Sequence, residues 1–287
     1  MTVNPVEAFR KVFEAPEHQP FFLNGAGEGG GAALLVHGFP GTPAEMRPLG
    51  ESFHRAGWSA QGLLLPGFGT DIETLPRRTA EEWVSAVVGE LRELKREHQT
   101  VVLIGFSLGG ALSIEAASIE PPDGLILLSP FWKLDGALWG LLPALKHVFP
   151  TFKPFRLMKL DFDNPETRQS MAQFMPGADM DDPAVQKAIK DFSVPTNMID
   201  QIRRAGVKAA RAAPNVRVPT LIIQGSEDDL VKPDKTRTLA AQMGAEYREV
   251  PADHQIRDPK GASYHLVEQL ALEFAGSFIP SHEQRGR

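Results

Sequence analysis

The chain has 287 residues, 42% of them hydrophobic and 23% charged, and a formal net charge of −6. That balance fits a globular protein with a sizeable core, excludes a disordered or fibrous chain, and argues against a nucleic-acid-binding surface, so nucleic acid is not an expected partner. Cysteine is absent, which removes disulfides, thiolate zinc sites and a thiol nucleophile and leaves serine as the best nucleophile available.

Residues 1 to 18 place Val6, Phe9, Val12 and Phe13 at helical spacing and predict a short amphipathic helix packed on the body. The segment holds Glu7 and no apolar core long enough for a signal peptide, and no stretch approaches roughly 18 consecutive apolar residues, so a cytoplasmic location without stable membrane insertion is expected. Phe21 to Leu23 reads as a strand, followed by a glycine-rich turn from Gly25 to Gly31 that lacks the spacing of a phosphate loop.

Ala32 to His37 is a buried strand running into Gly38-Phe39-Pro40-Gly41. Thr42, Pro43 and Glu45 predict a capping box opening a helix to about Ala56. A further strand over Gln61 to Leu65 ends in the turn Pro66-Gly67-Phe68-Gly69. Thr79 and Glu82 form a second capping box, ahead of Trp83, Val84, Val87, Val88, Leu91 and Leu94 on one helical stripe. Strands at 101–104, 124–129, 220–224 and 246–250 follow, and a last helix carries Val267, Leu270, Phe274 and Phe278. Continuous apolar strands between amphipathic helices predict an α/β fold, a mostly parallel sheet covered on both faces.

One connection is too long for a simple crossover. About 90 residues separate the strands at 124–129 and 220–224, which predicts an insertion, residues 131–213, on a core of residues 1–130 and 214–287. Its apolar residues, among them Trp132, Trp139 and Phe149, suggest a cap over a site and a lining for an acyl chain or aromatic group. Arg203, Arg204, Lys208 and Arg211 read as a solvated helix face. Asp161, Asp163 and Asn164 open like a calcium loop, but Pro165 and the missing glycine and glutamate break the pattern, and Asp179, Asp181 and Asp182 read as helix caps. No metal is expected.

The chemistry concentrates at Gly105-Phe106-Ser107-Leu108-Gly109, between an apolar strand and a small-residue helical pattern. Strand, sharp turn and helix around a GxSxG serine make a nucleophile elbow, which exposes the hydroxyl in a strained backbone geometry. A serine needs a base, and the base needs a carboxylate; on a parallel sheet both belong on later loops at the same strand ends, acid before histidine. The loop after strand 220–224 offers Asp228 and Asp229, and the loop after strand 246–250 offers His254. His37, before Gly38, reads as a loop brace rather than a base.

Four pieces of sequence together resemble an α/β-hydrolase: L-L-V-H-G-F-P-G-T-P-A-E-M-R-P-L (34–49), G-F-S-L-G-G (105–110), Q-G-S-E-D-D-L-V (224–231) and D-H (253–254). Within that fold the chain is similar to the bacterial carboxylesterase and monoacylglycerol lipase group. The resemblance implies an α/β-hydrolase fold with an inserted helical cap, a Ser107, His254 and Asp228 triad with Asp229 as the fallback acid, and an oxyanion hole from the backbone N–H groups of Phe39 and Leu108. It implies hydrolysis of a small-molecule ester, a short- to medium-chain acyl ester or a monoacylglycerol, without a cofactor; the alternatives are cleavage of amide, thioester or carbon–carbon bonds by the same triad on the same fold, or a pocket that binds a small ligand without turning it over. The chain departs from many such relatives at Asp253, where they have glycine, and at Phe68, where they have histidine; the second difference is expected to affect only its own turn.

Overall fold

The computed structural model describes residues 13–25, 31–133, 140–144, 149–153, 160–165, 167–168, 180–191 and 194–279. In chain order these hold strands β1 (Phe21–Leu23) and β2 (Ala32–Val36), helix α1 (Arg47–Arg55), β3 (Ser59–Leu63), α2 (Ala80–Glu97), β4 (Val101–Phe106), α3 (Leu108–Ile119) and β5 (Gly124–Leu128). The insertion contributes β6 (Thr151–Phe152), α4 (Pro183–Asp191), β7 (Val194–Pro195) and α5 (Thr196–Ala212). The chain then returns through β8 (Thr220–Gly225), α6 (Pro233–Met243), β9 (Glu246–Val250) and α7 (Tyr264–Gly276). Seven strands form one sheet in the order β1-β3-β2-β4-β5-β8-β9, with β1 antiparallel to β3 and the other pairings parallel. β6 and β7 pair separately.

Alternation along the strands divides the core in two, because successive side chains leave a strand on opposite faces. Leu34, Val36, Leu103, Leu125, Leu127 and Ile222 meet the buried residues of α2, α3, α5 and α6 on one face. Ala33, Leu35, Val102, Ile104, Ile126 and Leu221 point the other way, toward Leu49 and Phe53 of α1 and Val267, Ala271 and Ala275 of α7. β2, β4 and β5 are apolar throughout since both faces are covered. The edge strand β9 is different: Glu246, Arg248 and Glu249 are exposed and only Val250 is buried.

Several expectations change. The box at Thr79 forms as predicted, with Glu82 N donating to Thr79 Oγ1 and Thr79 N to Glu82 Oε2. The one at Thr42 does not form. His18 Nδ1 lies 2.8 Å from Thr42 Oγ1, the Glu45 carboxylate is drawn elsewhere, and a 3₁₀ turn at Pro43–Glu45 precedes α1. The third strand lies two residues earlier than expected, at Ser59–Leu63, and Phe278 falls beyond the last helix. Pro16–His18 is a single 3₁₀ turn, while residues 1–12, and with them most of the predicted first helix, lie outside the described residues, as do residues 26–30.

Helix α5 falls within the span expected for the cap, yet it packs on the body. Met198, Ile202, Ala205 and Ala209 belong to the same cluster as α2 and α3, and a Cβ on Gly206 would stand 2.7 Å from the Trp132 carbonyl. Its basic side chains are not simply solvated. Arg204 and Lys208 pair with Glu81 of α2, Lys208 also with Glu115 of α3, and Arg203 with the buried Asp200. In α4's neighbourhood, Asp181 pairs with Arg168, and Asp179 lies outside the described residues.

Candidate active site

Ser107 stands between β4 and α3 with φ 51° and ψ −115°, a conformation that L residues rarely adopt and that a tight junction imposes. The crowding is severe. A Cβ on Gly105 would stand 2.5 Å from the Gly109 carbonyl oxygen, and one on Gly109 would stand 2.3 Å from the Val36 carbonyl oxygen. Only glycine lets α3 start this close to β2 and β4. Backbone bonds lock the serine itself: its N–H donates to Leu128 O at 3.0 Å, and its carbonyl accepts from Phe131 N at 2.9 Å.

The loops after β8 and β9 bring the partners. They are zipped together by Ser226 N to Val250 O at 2.8 Å and Glu227 N to Ala252 O at 3.0 Å, and Gly225 lets the Asp253 backbone pass where a Cβ would stand 2.3 Å from its carbonyl oxygen. His254 Nε2 lies 2.9 Å from Ser107 Oγ, and His254 Nδ1 lies 2.8 Å from Asp228 Oδ2. An ionised carboxylate only accepts, so Nδ1 carries the proton and Nε2 offers its lone pair to the serine hydroxyl. Of the two candidate acids the geometry brings in Asp228, which is buried; Asp229 is exposed. The departure at Asp253 has a local function, since its Oδ1 accepts the Gln255 N–H at 2.7 Å and shapes the turn carrying His254.

Asp228 is saturated with donors. Oδ2 also accepts from Gln224 Nε2 at 2.8 Å, and Oδ1 accepts the N–H groups of Leu230 at 3.0 Å and Val231 at 2.8 Å. Burial pushes the carboxyl upward, but the bonds and charge from His254, with those from Val231 and Gln224, outweigh it and hold the group below the usual aspartate range. Motif spacing does not mark Gln224. Its available signal is a single polar side chain ending the otherwise apolar run Leu221-Ile222-Ile223.

Leu108 opens α3 and Phe39 lies in the loop after β2, where a Cβ on Gly38 would stand 3.3 Å from Ser107 Cβ. Among the described residues, no backbone acceptor engages the Phe39 N–H, and the Leu108 N–H is one of the unsatisfied donors at a helix start. His37 is fully buried and braces this loop: Nε2 accepts the Leu65 N–H at 3.1 Å and Nδ1 donates to Gly38 O at 2.8 Å. Burial holds its imidazole below the usual histidine range, against the pull of Glu45 and the Gly38 bond, so it stays neutral with a fixed tautomer. Phe68 reaches beyond its own turn, lying edge-on to His37 at 5.0 Å, Phe39 at 6.1 Å and Trp83 at 5.8 Å. Trp132 is buried in the core beside Phe131, Phe149 is exposed, and Trp139 lies outside the described residues.

A parallel sheet with helices on both faces and a serine elbow hydrogen-bonded through histidine to aspartate define an α/β-hydrolase of the serine hydrolase class. Residues 27–255 match the family model described as serine aminopeptidase, S33, and the chain belongs to that family. It is 28% identical over 270 residues to a thermostable monoacylglycerol lipase of Bacillus sp. (strain H-257), covering 92% of this chain and 95% of the relative. A carboxylesterase of Bacillus subtilis (strain 168) is 31% identical over 109 residues, covering 38% of this chain and 43% of the relative. A solved structure from work on the metagenome-derived lipolytic enzymes LipS and LipT superposes with a TM-score of 0.71 at 22% identity, covering 91% of this chain and 98% of that one. No helix among the described residues is long and apolar enough to cross a membrane.

Two expectations follow. Gly109→Ala should destabilise the fold by about 2 kcal/mol or more, because its Cβ meets backbone rather than a movable side chain; a urea midpoint matching the wild type would contradict the crowding. Because the folded Asp228 carboxyl titrates below the unfolded one, its contribution to stability is complete above the ordinary value of about 3.9 and is lost as pH falls through the folded value. Stability measured against pH should therefore fall more steeply below about pH 4 in the wild type than in Asp228→Asn.

Proposed function

We propose that the protein hydrolyses carboxylic esters, with short- to medium-chain acyl esters or monoacylglycerols as substrates, through Ser107, His254 and Asp228. The observation that carries this reading is the unbroken relay from Ser107 Oγ through His254 to Asp228 on a strained elbow. The relatives named as monoacylglycerol lipase and carboxylesterase support ester over other acyl substrates.

Ser107 Oγ attacks the ester carbonyl carbon while its proton passes to His254 Nε2, and Asp228 stabilises the resulting imidazolium through Nδ1. The carbonyl oxygen becomes an oxyanion received by the Phe39 and Leu108 N–H groups, each donor worth about 2.7–4 kcal/mol of barrier. As the intermediate collapses, the ester C–O bond breaks and the alcohol leaves with the proton from Nε2. Water then attacks the acyl-enzyme, giving its proton to His254, and the acid departs as Ser107 regains a proton. Trp132, adjacent to the residue bonded to the Ser107 carbonyl, is the proposed contact on the acyl side.

The family description favours one competing reading, cleavage of an N-terminal amide, and one experiment addresses both. In a panel of p-nitrophenyl esters of increasing acyl length, monoacylglycerols and aminoacyl p-nitroanilides, the ester arms should give the higher kcat/KM. Anilide turnover above every ester would replace the ester reading. Ser107→Ala should abolish ester turnover, and an undiminished rate would remove the serine from the reaction. Asp228→Asn should lower kcat by about 10⁴-fold while Asp229→Asn stays within about threefold; the reverse order would move the acid to Asp229.

A further inference from the structure

Among the described residues, an ion pair joins the two loops that meet over Ser107. Glu45 Oε2 accepts the Gly38 N–H at 3.1 Å, and Glu45 Oε1 accepts from Arg257 Nη2 at 2.8 Å. The two side chains are 19% and 18% exposed, so the pair is shielded enough for its charge-assisted bonds to hold a geometry. The carboxylate fits because residue 41 is glycine: a Cβ there would stand 2.1 Å from it. The Arg257 guanidinium lies 4.9 Å from the centre of the Phe106 ring, and the His254 ring lies 5.2 Å from that same ring. The pair therefore spans from the loop carrying Phe39 to the loop carrying His254, across the residue that precedes Ser107.

Peptide planarity turns these contacts into an aim for the Phe39 N–H. The Gly38 carbonyl is fixed by His37 Nδ1 at 2.8 Å and Gly41 N at 3.1 Å, and in a trans peptide the N–H of the next residue points opposite to that carbonyl. The preceding peptide is fixed at its own N–H, by Glu45. With both planes held, the Phe39 N–H cannot swing away without breaking a bond to Glu45 or His37.

We propose that Glu45 and Arg257 are positioning residues, which hold the Phe39 oxyanion donor in register with His254. This rests on the ester-hydrolysis reading given above. Glu45 acts through the Gly38 peptide, and Arg257 acts by fixing the Glu45 carboxylate while it packs beside His254 on Phe106.

With the full chain and p-nitrophenyl butyrate, Glu45→Leu should lower kcat roughly tenfold or more while KM moves less than about threefold, the split expected when a transition-state donor is misplaced. Glu45→Gln keeps an oxygen for the Gly38 N–H and should return to within about threefold of the wild type. Arg257→Leu should fall between the two and slow phosphonylation of Ser107 by a fluorophosphonate to a similar degree. A Glu45→Leu kcat within about twofold of the wild type, a loss confined to KM, or an equal loss in the Gln and Leu variants overturns the proposal. If Glu45→Leu does not fold, Arg257→Leu decides, and an unchanged phosphonylation rate in a variant that melts with the wild type overturns it. A wild type that neither turns over the ester nor takes the probe at Ser107 defeats the ester reading as well; normal wild-type turnover with indifferent variants defeats this proposal alone.

Discussion

The structure depends on a packing constraint at the junction of β4 and α3. Strand and helix approach so closely there that two glycines have no room for a Cβ, and the residue between them is driven into a left-handed backbone. Such strain persists only when the surroundings over-determine it. They do so through β2 and β5, the strands on either side of β4. Val36 at the end of β2 crowds Gly109, and Leu128 at the end of β5 binds the Ser107 amide. The Ser107 hydroxyl is therefore presented by the sheet as a whole.

The partners of that hydroxyl come from loops with little regular structure, held by main-chain bonds between them. Asp228 is the most constrained side chain in the site, with four donors on two oxygens. Its position follows from β8 ending in Gln224 and Gly225, one binding the carboxylate and the other giving the His254 loop room to pass. Charge, geometry and tautomer are thus fixed together. An imidazole that hydrogen-bonds such an acid has only one nitrogen left to face the serine.

Much of this was legible in the chain because it rests on local signals. Apolar strands, small residues after Ser107, and the order of Asp228 and His254 are readable from spacing, and so is the box at Thr79, whose partners are three residues apart. What was not legible rests on contacts between distant residues. Thr42 and Glu45 have the spacing of a capping box, but His18 takes one and Gly38 with Arg257 takes the other, so tertiary partners override the local motif. Helix α5 carries four basic residues and looks solvated until the acidic faces of α2 and α3 are placed beside it. Choosing between Asp228 and Asp229 required the resemblance to related chains, since two adjacent carboxylates differ only in which one the turn buries.

The two ends of the sheet bear on how this chain meets others. A strand edge offers unpaired amides and carbonyls to any neighbouring chain, and proteins guard it with short strands or with charge. Here β1 has three residues, and β9 sets Glu246, Arg248 and Glu249 toward solvent, with Arg237 and Arg248 paired to the glutamates. Adding a strand beside β9 would require stripping water from that charged row. Growth of the sheet from one copy into the next is thereby discouraged at both described margins, and the charged row of β9 guards the edge strand that leads into the loop carrying His254.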